Sequence, residues 1–407
     1  MRRLPRRLAL AALVLASVGL TGAGEVAWES RTLPAEPGPH WIWVGDVLLR
    51  RAALVDADAG AFRGMVPGGV GIIAPTRSRD GREIYLPSTY YSRGTRGDRT
   101  DVVSILDATS LLPLGEVVIP PKRSEHTSWV AGSALSDDGR FLAVFNLTPA
   151  TSLSIVDVVE RRLVGEVDTP GCSLVYAAGP RRFLSLCADG TALAVTLDGS
   201  GQEASKVRSE RFFDPVADPV TEKAVRRGDE WLFVSFEGYV HPVDVSGGSL
   251  RVGDPWSLLD DADREGAWRV GGMQPIALHG PSGELYALVH QGGVDTHKDP
   301  GTEVWVYDVA RRARVRRVEL RNPMASFAAD QLGLAPGSLA ARAVVLALDL
   351  VLPNRGVERI AVTQDPAPLL LTATGFPATL GVYDARGGTH LRDVKEVGIA
   401  TSLLALP

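Results

Sequence analysis

The sequence predicts an all-β fold: a seven-bladed β-propeller whose N- and C-terminal strands close one blade. Three observations carry this prediction. A strand-rich unit recurs along the chain, its period is roughly 40–60 residues as in propeller blades, and the two ends of the chain hold complementary parts of one further unit. Hydrophobic residues make up 45% of the sequence, which is consistent with a β-rich core.

The recurring unit has an apolar strand, a polar turn, a second strand rich in Val, Leu, Phe or Tyr, a third strand that often ends in Asp, and a more polar fourth strand. The clearest copies include 80–86 (DGREIYL) and 138–144 (DGRFLAV). Weaker copies begin near Arg181, Glu230, Gly283 and Pro368. The Asp-Gly turns and the alternating pattern are typical of antiparallel hairpins.

The two ends of the chain complete the ring. Residues 41–44 (WIWV) and 51–56 (RAALVD) resemble a second and a third strand with no first strand before them. Residues 400–406 (ATSLLAL) resemble a first strand with nothing after it. Pairing these segments in one blade gives seven blades and removes exposed sheet edges. Eight blades, or six with a divergent end, are the alternatives.

Residues 1–24 have the order of a secretory signal peptide: a basic start, an apolar run from Leu8 to Leu20, and small residues up to Gly24. The run is too short for an ordinary membrane span; a retained membrane anchor is the alternative. We therefore expect export to the periplasm. No later segment is long and apolar enough for a transmembrane span.

The mature chain is expected to be acidic. Loss of the four leader arginines moves the formal charge from −5 to about −9. Because an acidic protein gains nothing from counterion release, nucleic acid is disfavoured as a partner.

The chain has two cysteines, Cys172 and Cys187. An exported protein enters an oxidising compartment, where an even number of cysteines favours a disulfide. Two unpaired buried thiols are the alternative.

An atypical apolar insert at about 322–357 interrupts the propeller that extends over 25–407. Its stretch 338–352 (SLAARAVVLALDLVL) fits a helix with Arg342 and Asp349 on one face. Such a helix either docks on a partner subunit or a membrane surface, or forms a lid against the propeller's own side.

A search for catalytic motifs finds no nucleotide loop, zinc signature or nucleophile elbow in the sequence. Four residues of metal-ligand type lie close together, namely His290, Asp295, His297 and Asp299. Their types suit a metal, but the segment fits a solvated hairpin loop better. We therefore expect no catalytic, cofactor-binding or metal-binding residue in this chain.

The loop 88–101 (STYYSRGTRGDRTD) combines tyrosine and arginine, which are enriched at protein interfaces. It predicts a subunit interface formed by Tyr90, Tyr91, Arg93, Arg96 and Arg99. Internal pairing of the three arginines with Asp98 and Asp101 is the alternative, and both roles are compatible.

From this loop onward the chain resembles a known family. The run 88–114 (STYYSRGTRGDRTDVVSILDATSLLPL) resembles the heavy chain of methylamine and aromatic amine dehydrogenases. Three further stretches agree in order and spacing: 168–190, which holds both cysteines, 268–274 (WRVGGMQ) with His279, and 380–396.

The resemblance implies a function. Members of that family are seven-bladed periplasmic propellers that form α2β2 tetramers. Their light chain carries tryptophan tryptophylquinone and the catalytic aspartate, oxidises a primary amine to aldehyde and ammonia, and passes electrons to a small blue-copper protein. This chain would be the large, cofactor-free subunit, which scaffolds the light chain and lines part of the substrate channel.

The chain departs from the family at two positions. A heavy-chain phenylalanine gates the channel in the methylamine enzymes, and the matching position here is Val70, whose smaller side chain leaves more room for substrate. Met273 stands where a tryptophan is common. The insert at 322–357 has no counterpart in the family, so the partner surface is expected to differ.

Two other functions remain open. A stand-alone exported propeller would bind a protein or glycan without a quinone subunit. A propeller enzyme with its own metal or cofactor in the central channel would need several acids or histidines on the innermost strands. The segments 130–135 and 275–278, which we assign to those strands, are mostly apolar or small.

Overall fold

The computed structural model describes residues 32–125, 130–334, 338–376, 378–395 and 397–407, apart from the side chains of residues 326, 330, 349 and 350. The expected leader, residues 1–24, lies outside the described residues. The described strands form seven antiparallel sheets. The predicted seven-bladed β-propeller is therefore confirmed, and the alternatives with six or eight blades are wrong.

Blades 1 to 4 are formed mainly by the N-terminal half of the chain. Blade 1 contains β1 (Trp41–Asp46), β2 (Arg51–Asp56), β3 (Ala61–Pro67) and the last strand, β30 (Thr401–Ala405). Blade 2 contains β4 (Thr76–Arg77), β5 (Glu83–Tyr91), β6 (Arg99–Asp107) and β7 (Pro113–Ile119). Blade 3 begins with a 3-10 turn (Val130–Gly132), followed by β8 (Ser133–Leu135), β9 (Phe141–Asn146), β10 (Ser152–Asp157) and β11 (Arg162–Asp168). Blade 4 contains β12 (Cys172–Ala177), β13 (Arg182–Cys187), β14 (Ala192–Leu197) and β15 (Glu203–Arg208).

Blades 5 to 7 are less regular and are separated by short helices. Blade 5 contains β16 (Val225–Arg227), β17 (Glu230–Val234), β18 (Tyr239–Asp244), β19 (Arg251–Val252) and β20 (Trp256–Ser257). Helix α1 (Asp261–Glu265) leads to blade 6, which contains β21 (Trp268–Val270), β22 (Ile276–His279), β23 (Glu284–Gln291), β24 (Glu303–Asp308) and β25 (Ala313–Glu319). Helices α2 (Pro323–Gln331) and α3 (Leu339–Val351) precede blade 7, which contains β26 (Arg359–Val362), β27 (Leu369–Ala373), β28 (Leu380–Asp384) and β29 (His390–Val394).

The ring closes as the sequence predicts. Strand β30 pairs antiparallel with β1, with Val44 opposite Leu404 and Gly45 opposite Leu403. The sheet order is β3-β2-β1-β30, so the C-terminal strand is the innermost strand of blade 1. Without β30, strand β1 would present an unpaired edge to the central channel.

Apolar side chains fill the seams between neighbouring blades. At the closing seam, Ile42 and Val44 of blade 1 belong to one buried cluster with Leu371 and Val382 of blade 7. Strands β9 and β10 are buried along their whole length, because a middle strand is covered on both faces by adjacent blades. The outermost strand β15 is mostly exposed, which explains the more polar fourth strand of the repeat.

The aspartate that ends many third strands closes the following turn. Asp107 Oδ1 accepts backbone N–H groups from Thr109 at 3.0 Å and Ser110 at 2.7 Å. Asp157 likewise accepts the N–H groups of Val159 and Glu160, at 3.1 and 3.0 Å. The recurring Asp is thus a local turn-forming residue.

These bonds make stability depend on pH. The hydrogen bond from the Ser110 backbone, followed by those from the Thr109 and Ser110 hydroxyls, lowers the pKa of Asp107 to about 2. A carboxyl whose folded pKa is depressed contributes stability above its unfolded pKa and loses it as pH falls through the folded pKa. We predict that the melting temperature is steady from pH 7 to about 5 and falls between about pH 4 and pH 2.

An alanine variant tests this explanation. Asp107→Ala is expected to melt lower at pH 7 and to show a smaller fall below pH 4 than the native chain. The control is Asp254→Ala, at an exposed acid after β19, which should keep the native pH profile. An unchanged acid transition in Asp107→Ala would exclude the turn carboxylate as a contributor.

The structure contains the expected disulfide, so the alternative of two unpaired thiols is wrong. Cys172 and Cys187 lie directly opposite each other on β12 and β13, with their Cα atoms 3.8 Å apart. Both side chains are buried in the cluster shared by blades 3, 4 and 5.

Removal of the disulfide is expected to destabilise the fold. The bond joins residues 15 apart in sequence, and closing a loop of that size stabilises by about 3 kcal/mol through the unfolded state. We predict that Cys172→Ser with Cys187→Ser lowers the free energy of unfolding in denaturant by that amount. The native chain with a reductant should approach the same value. Equal stabilities of the variant and the oxidised native chain would contradict this role.

The insert between blades 6 and 7 contains the helical pair α2 and α3. Ser338 begins α3, since its hydroxyl accepts the N–H of Ala341 at 3.1 Å. None of the helices in the described part of the chain is long and apolar enough to span a membrane.

Candidate functional site

One side of the ring, which we call the loop face, carries the connections from second to third strands and those from one blade to the next. Successive connections of an antiparallel blade alternate between the two ends of its strands, so these two kinds emerge together. Contacts agree with this assignment. The N–H of Val47 donates to the carbonyl of Ala400 at 3.4 Å, and the N–H of Gly68 donates to that of Arg50 at 2.9 Å.

The loop face exposes apolar side chains around the ring. They are 42–89% exposed and comprise Leu48, Tyr90, Leu147, Val216, Val294, Phe376 and Ile399. Exposed apolar residues that are scattered singly are ordinary on a protein surface, so this set is apolar area that lies open to a partner.

Helix α3 adds to this surface. Because α2 and α3 connect blade 6 to blade 7, they also emerge on the loop face. Leu339, Leu346 and Val351 are 85%, 67% and 73% exposed. These side chains are therefore available to a partner.

The central channel holds a cavity of about 550 Å³. Its wall is formed mainly by apolar residues of the innermost strands, including Ile276 of β22, Ile360 of β26 and Leu404 of β30. Tyr176 and Trp231 add aromatic surface. This wall matches the apolar innermost strands that the sequence predicts.

A second cavity, of about 300 Å³, lies towards the loop face. It is lined by Phe236 and His297, whose rings stack with centroids 3.7 Å apart, and by Met273 and Thr221. Burial, followed by the charge of Lys298, lowers the pKa of His297, so its imidazole is neutral at pH 7.

Glu222 and Lys223 line both cavities. The Lys223 side chain is 8% exposed, and its ammonium contacts the Glu222 carboxylate. Burial, followed by the positive charges of Lys298 and Arg359, lowers the pKa of Lys223 to about 7. The Glu222 carboxylate opposes that shift, since an opposite charge favours the ammonium.

A bulge in the inner strand of blade 6 shapes the boundary of the cavities. Strands β21 and β22 both pair with β23, and residues 271–275 leave the ladder between them. The side-chain amide of Gln274 donates to the carbonyl of Leu404 at 2.9 Å and accepts its N–H at 3.1 Å. Gln274 thereby bonds the backbone N–H and carbonyl of Leu404 on the inner edge of β30.

The predicted interface loop divides into bound and exposed residues. Arg99 donates to both oxygens of Asp101, at 2.9 and 2.8 Å, and Tyr91 donates to Glu125 at 2.6 Å. The side chains of Tyr91 and Arg99 therefore have partners within the chain. Tyr90 is 42% exposed, and Arg93 and Arg96 are exposed, so these three remain available for an interface.

Asp101 fixes this loop to the propeller. It is fully buried and also accepts the N–H of Arg123 at 3.0 Å. Burial alone would lower the pKa of Arg99, but the Asp101 carboxylate outweighs it and raises that pKa. The charged pair therefore holds one end of the loop while its tip is free to contact a partner.

Val70 lies on the loop face beside this region. It is half-buried, and its N–H donates to the carbonyl of Thr89 at 2.8 Å. Val70 is absent from the linings of both central cavities. The structure brings it next to the interface loop.

The metal-ligand types between 290 and 299 do not form a cluster. Among the described residues no group of three or more His, Cys, Asp or Glu side chains is arranged to hold a metal. His290 bonds Thr296 at 2.9 Å, and His297 stacks on Phe236. The interpretation as a loop between two strands is confirmed for Asp295, His297 and Asp299, whereas His290 lies in β23 and is buried.

Sequence reasoning missed the group around Lys223. Lys223 lies in the connection before β16, Phe236 in the turn after β17 and His297 in the connection after β23. No local sequence pattern joins these residues. One signal was present: the chain has five lysines, and one of them lies two residues before the innermost strand β16.

Comparison with known proteins gives a family match. A family model described as methylamine dehydrogenase heavy chain matches residues 47–335. The heavy chain from Methylophilus methylotrophus is 25% identical over 327 residues, which are 80% of this chain and 72% of that protein. The heavy chain from Paracoccus versutus is 26% identical over 349 residues, 85% of this chain and 73% of that protein.

Solved structures support the fold alone. A protein of unknown function from Desulfotomaculum acetoxidans has a TM-score of 0.57 at 11% identity, covering 90% of this chain and 98% of that one. The dihydro-heme d1 dehydrogenase NirN has a TM-score of 0.52 at 16% identity, covering 93% of this chain and 76% of that one.

Proposed function

This chain belongs to the methylamine dehydrogenase heavy chain family, and from this premise we propose that it is the large, cofactor-free subunit of a quinone-dependent amine dehydrogenase. The family match over residues 47–335 carries the proposal. In this assignment a light chain, in an α2β2 tetramer, bears tryptophan tryptophylquinone. That group supplies the oxidation of a primary amine to aldehyde and ammonia, and a small blue-copper protein accepts the electrons.

The residues of this chain fit the role of a docking platform. The quinone would be part of the light-chain polypeptide, so this chain has to offer a surface for that polypeptide. The exposed apolar side chains of the loop face provide one, with aromatic area from Tyr90 and forked donors from Arg93 and Arg96 at its rim. We propose that the light chain binds here.

A periplasmic location is part of the proposal. The expected leader, residues 1–24, would direct export of the chain to the periplasm and be removed. The disulfide between Cys172 and Cys187 suits such an oxidising compartment.

Val70 is proposed to limit substrate size as the gate residue. The prediction is that Val70→Phe lowers kcat/KM for bulky primary amines roughly tenfold relative to methylamine, because a larger side chain would narrow the proposed substrate channel, to which both subunits would contribute. An amine panel with the assembled enzyme measures this. Val159→Phe, at a valine that is 68% exposed on the opposite face, is the control. A uniform effect on all amines would argue against gating.

Affinity purification of this chain from its native periplasm tests the proposed function. The expected eluate contains a small, disulfide-rich subunit in equal proportion, identified by mass spectrometry. A monomeric chain with no stoichiometric small subunit would reject the assignment and favour a stand-alone binding propeller, for which the exposed loop face would serve another protein or a glycan.

A further inference from the structure

Lys223 has no part in the proposed docking function. Its side chain is 8% exposed, yet it lines cavities of about 550 and 300 Å³. Burying an ammonium is costly unless it is paired or loses its proton. A lysine at the wall of two cavities is therefore a candidate functional group.

The surroundings of Lys223 favour a reactive amine. Lys298 and Arg359 contribute positive charge near the Nζ atom, whereas the Glu222 carboxylate in contact with it favours the ammonium. His297 lines the same cavity. Arg359 is itself paired with Glu358 at 2.7 Å. Burial and the two cations lower the pKa of Lys223 to about 7, so a substantial share of the amine is neutral at neutral pH.

We propose that Lys223 is a carbonyl-binding site that forms an imine with a small aldehyde held in the adjoining cavity. The neutral Nζ attacks the carbonyl carbon, and a carbinolamine forms. Loss of water then gives the imine, so one aldehyde and one amine yield one imine and one water without oxidation or reduction. Glu222 is placed to give and take the protons of these steps.

The cavity walls define the class of aldehyde. Tyr176, Trp231 and Ile276 line the channel side, and Phe236 and Met273 line the loop-face side. These apolar and aromatic surfaces favour a short aliphatic or aromatic side chain over a charged one. The inference goes beyond the proposed amine dehydrogenase role and is tested on this chain alone, so its failure would leave that role untouched.

Reductive trapping tests the proposal on the native chain. The chain is incubated at pH 7 with propanal and sodium cyanoborohydride, and its five lysines are mapped by peptide mass spectrometry. We expect Lys223 to be alkylated roughly tenfold or more faster than the exposed Lys298 and Lys395, because the adjoining cavities hold the aldehyde beside the Lys223 amine. Equal labelling of all lysines, or none at Lys223, would overturn the proposal.

The pH profile and two variants separate this chemistry from simple exposure. Labelling of Lys223 should persist from pH 8 to about 7 and fall below it. Lys223→Arg keeps the charge and should remove this adduct only. At pH 8, where the Lys223 amine is largely neutral with or without the Glu222 charge, Glu222→Gln should slow labelling of Lys223 several-fold without changing the other lysines. An unchanged rate in Glu222→Gln would contradict the proton-transfer role, and a matching melting curve shows that each variant is folded.

Discussion

Deletion of residues 401–407 is expected to prevent formation of a stable ring. The deletion removes β30, whose Leu403 and Leu404 are 1% and 2% exposed. Each fully buried leucine contributes about 1.5–3 kcal/mol, and β1 also loses its hydrogen-bond partner on the channel side. The combined loss is about 5 kcal/mol or more, which is comparable with the whole stability of many folded domains.

Thermal melting followed by circular dichroism measures this effect, together with the yield of soluble chain. The matched control removes only Leu406 and Pro407, which follow β30 and should leave the melting temperature within a few degrees of the native value. A cooperative, native-like melt after deletion of 401–407 would show that the ring does not depend on joining its two ends.

A double substitution on the loop face, Leu48→Asp with Val294→Asp, is expected to weaken binding of the light chain roughly a thousandfold, or about 4 kcal/mol. The two side chains are 66% and 70% exposed in the free chain and lie on loops of blades 1 and 6. In the proposed complex each would be buried against the partner. A carboxylate in such a contact is desolvated without a compensating charge, so the effect should appear mainly in the dissociation rate.

Leu112→Asp is the matched control for this substitution. Leu112 is 65% exposed, but it follows the third strand of blade 2 and therefore lies on the face opposite the loops. Surface plasmon resonance with the light chain should give native affinity for this control. If the loop-face pair binds like the native chain while Leu112→Asp does not, the light chain docks on the other face and the proposed interface is wrong.

Much of the fold could be predicted because each blade repeats the same local sequence pattern. These patterns are local. Alternating apolar residues form strands and Asp-Gly turns join them, and an aspartate such as Asp107 bonds backbone groups only two and three residues further along the chain. The blade that closes the ring was predicted because the segments at 41–56 and 400–406 each contain only part of a blade. The bulge at 271–275 was not predicted. In the sequence, β21 and β22 look like two separate short strands, and nothing indicates that both pair with β23.

The candidate sites were harder to predict because tertiary contacts decide them. The sequence places Tyr91 and Arg99 beside Arg93 and Arg96. In the structure, Tyr91 bonds the buried Glu125 and Arg99 bonds the buried Asp101. Arg93 and Arg96 are left exposed. Lys223 meets its neighbours only when blades 5, 6 and 7 are assembled. The spacing of these residues along the chain predicts neither the pairing in the interface loop nor the neighbours of Lys223.

The loop face and the central cavities have separate proposed roles. Apolar residues such as Leu48 and Phe376 would bind the light chain, while Val70 beside the interface loop would restrict the amine. Lys223 lies behind this surface, at the wall of the channel, where it would meet a small aldehyde. Each role is tested by a different variant.

The visible spectrum of the purified native assembly, recorded before and after addition of a primary amine, tests the central claim most directly. We expect a quinone absorbance that co-elutes with this chain and bleaches when the amine is added, with aldehyde and ammonia released. A colourless assembly, or a coloured one whose spectrum does not respond to any primary amine, would contradict the assignment of this chain as the large subunit of an amine dehydrogenase.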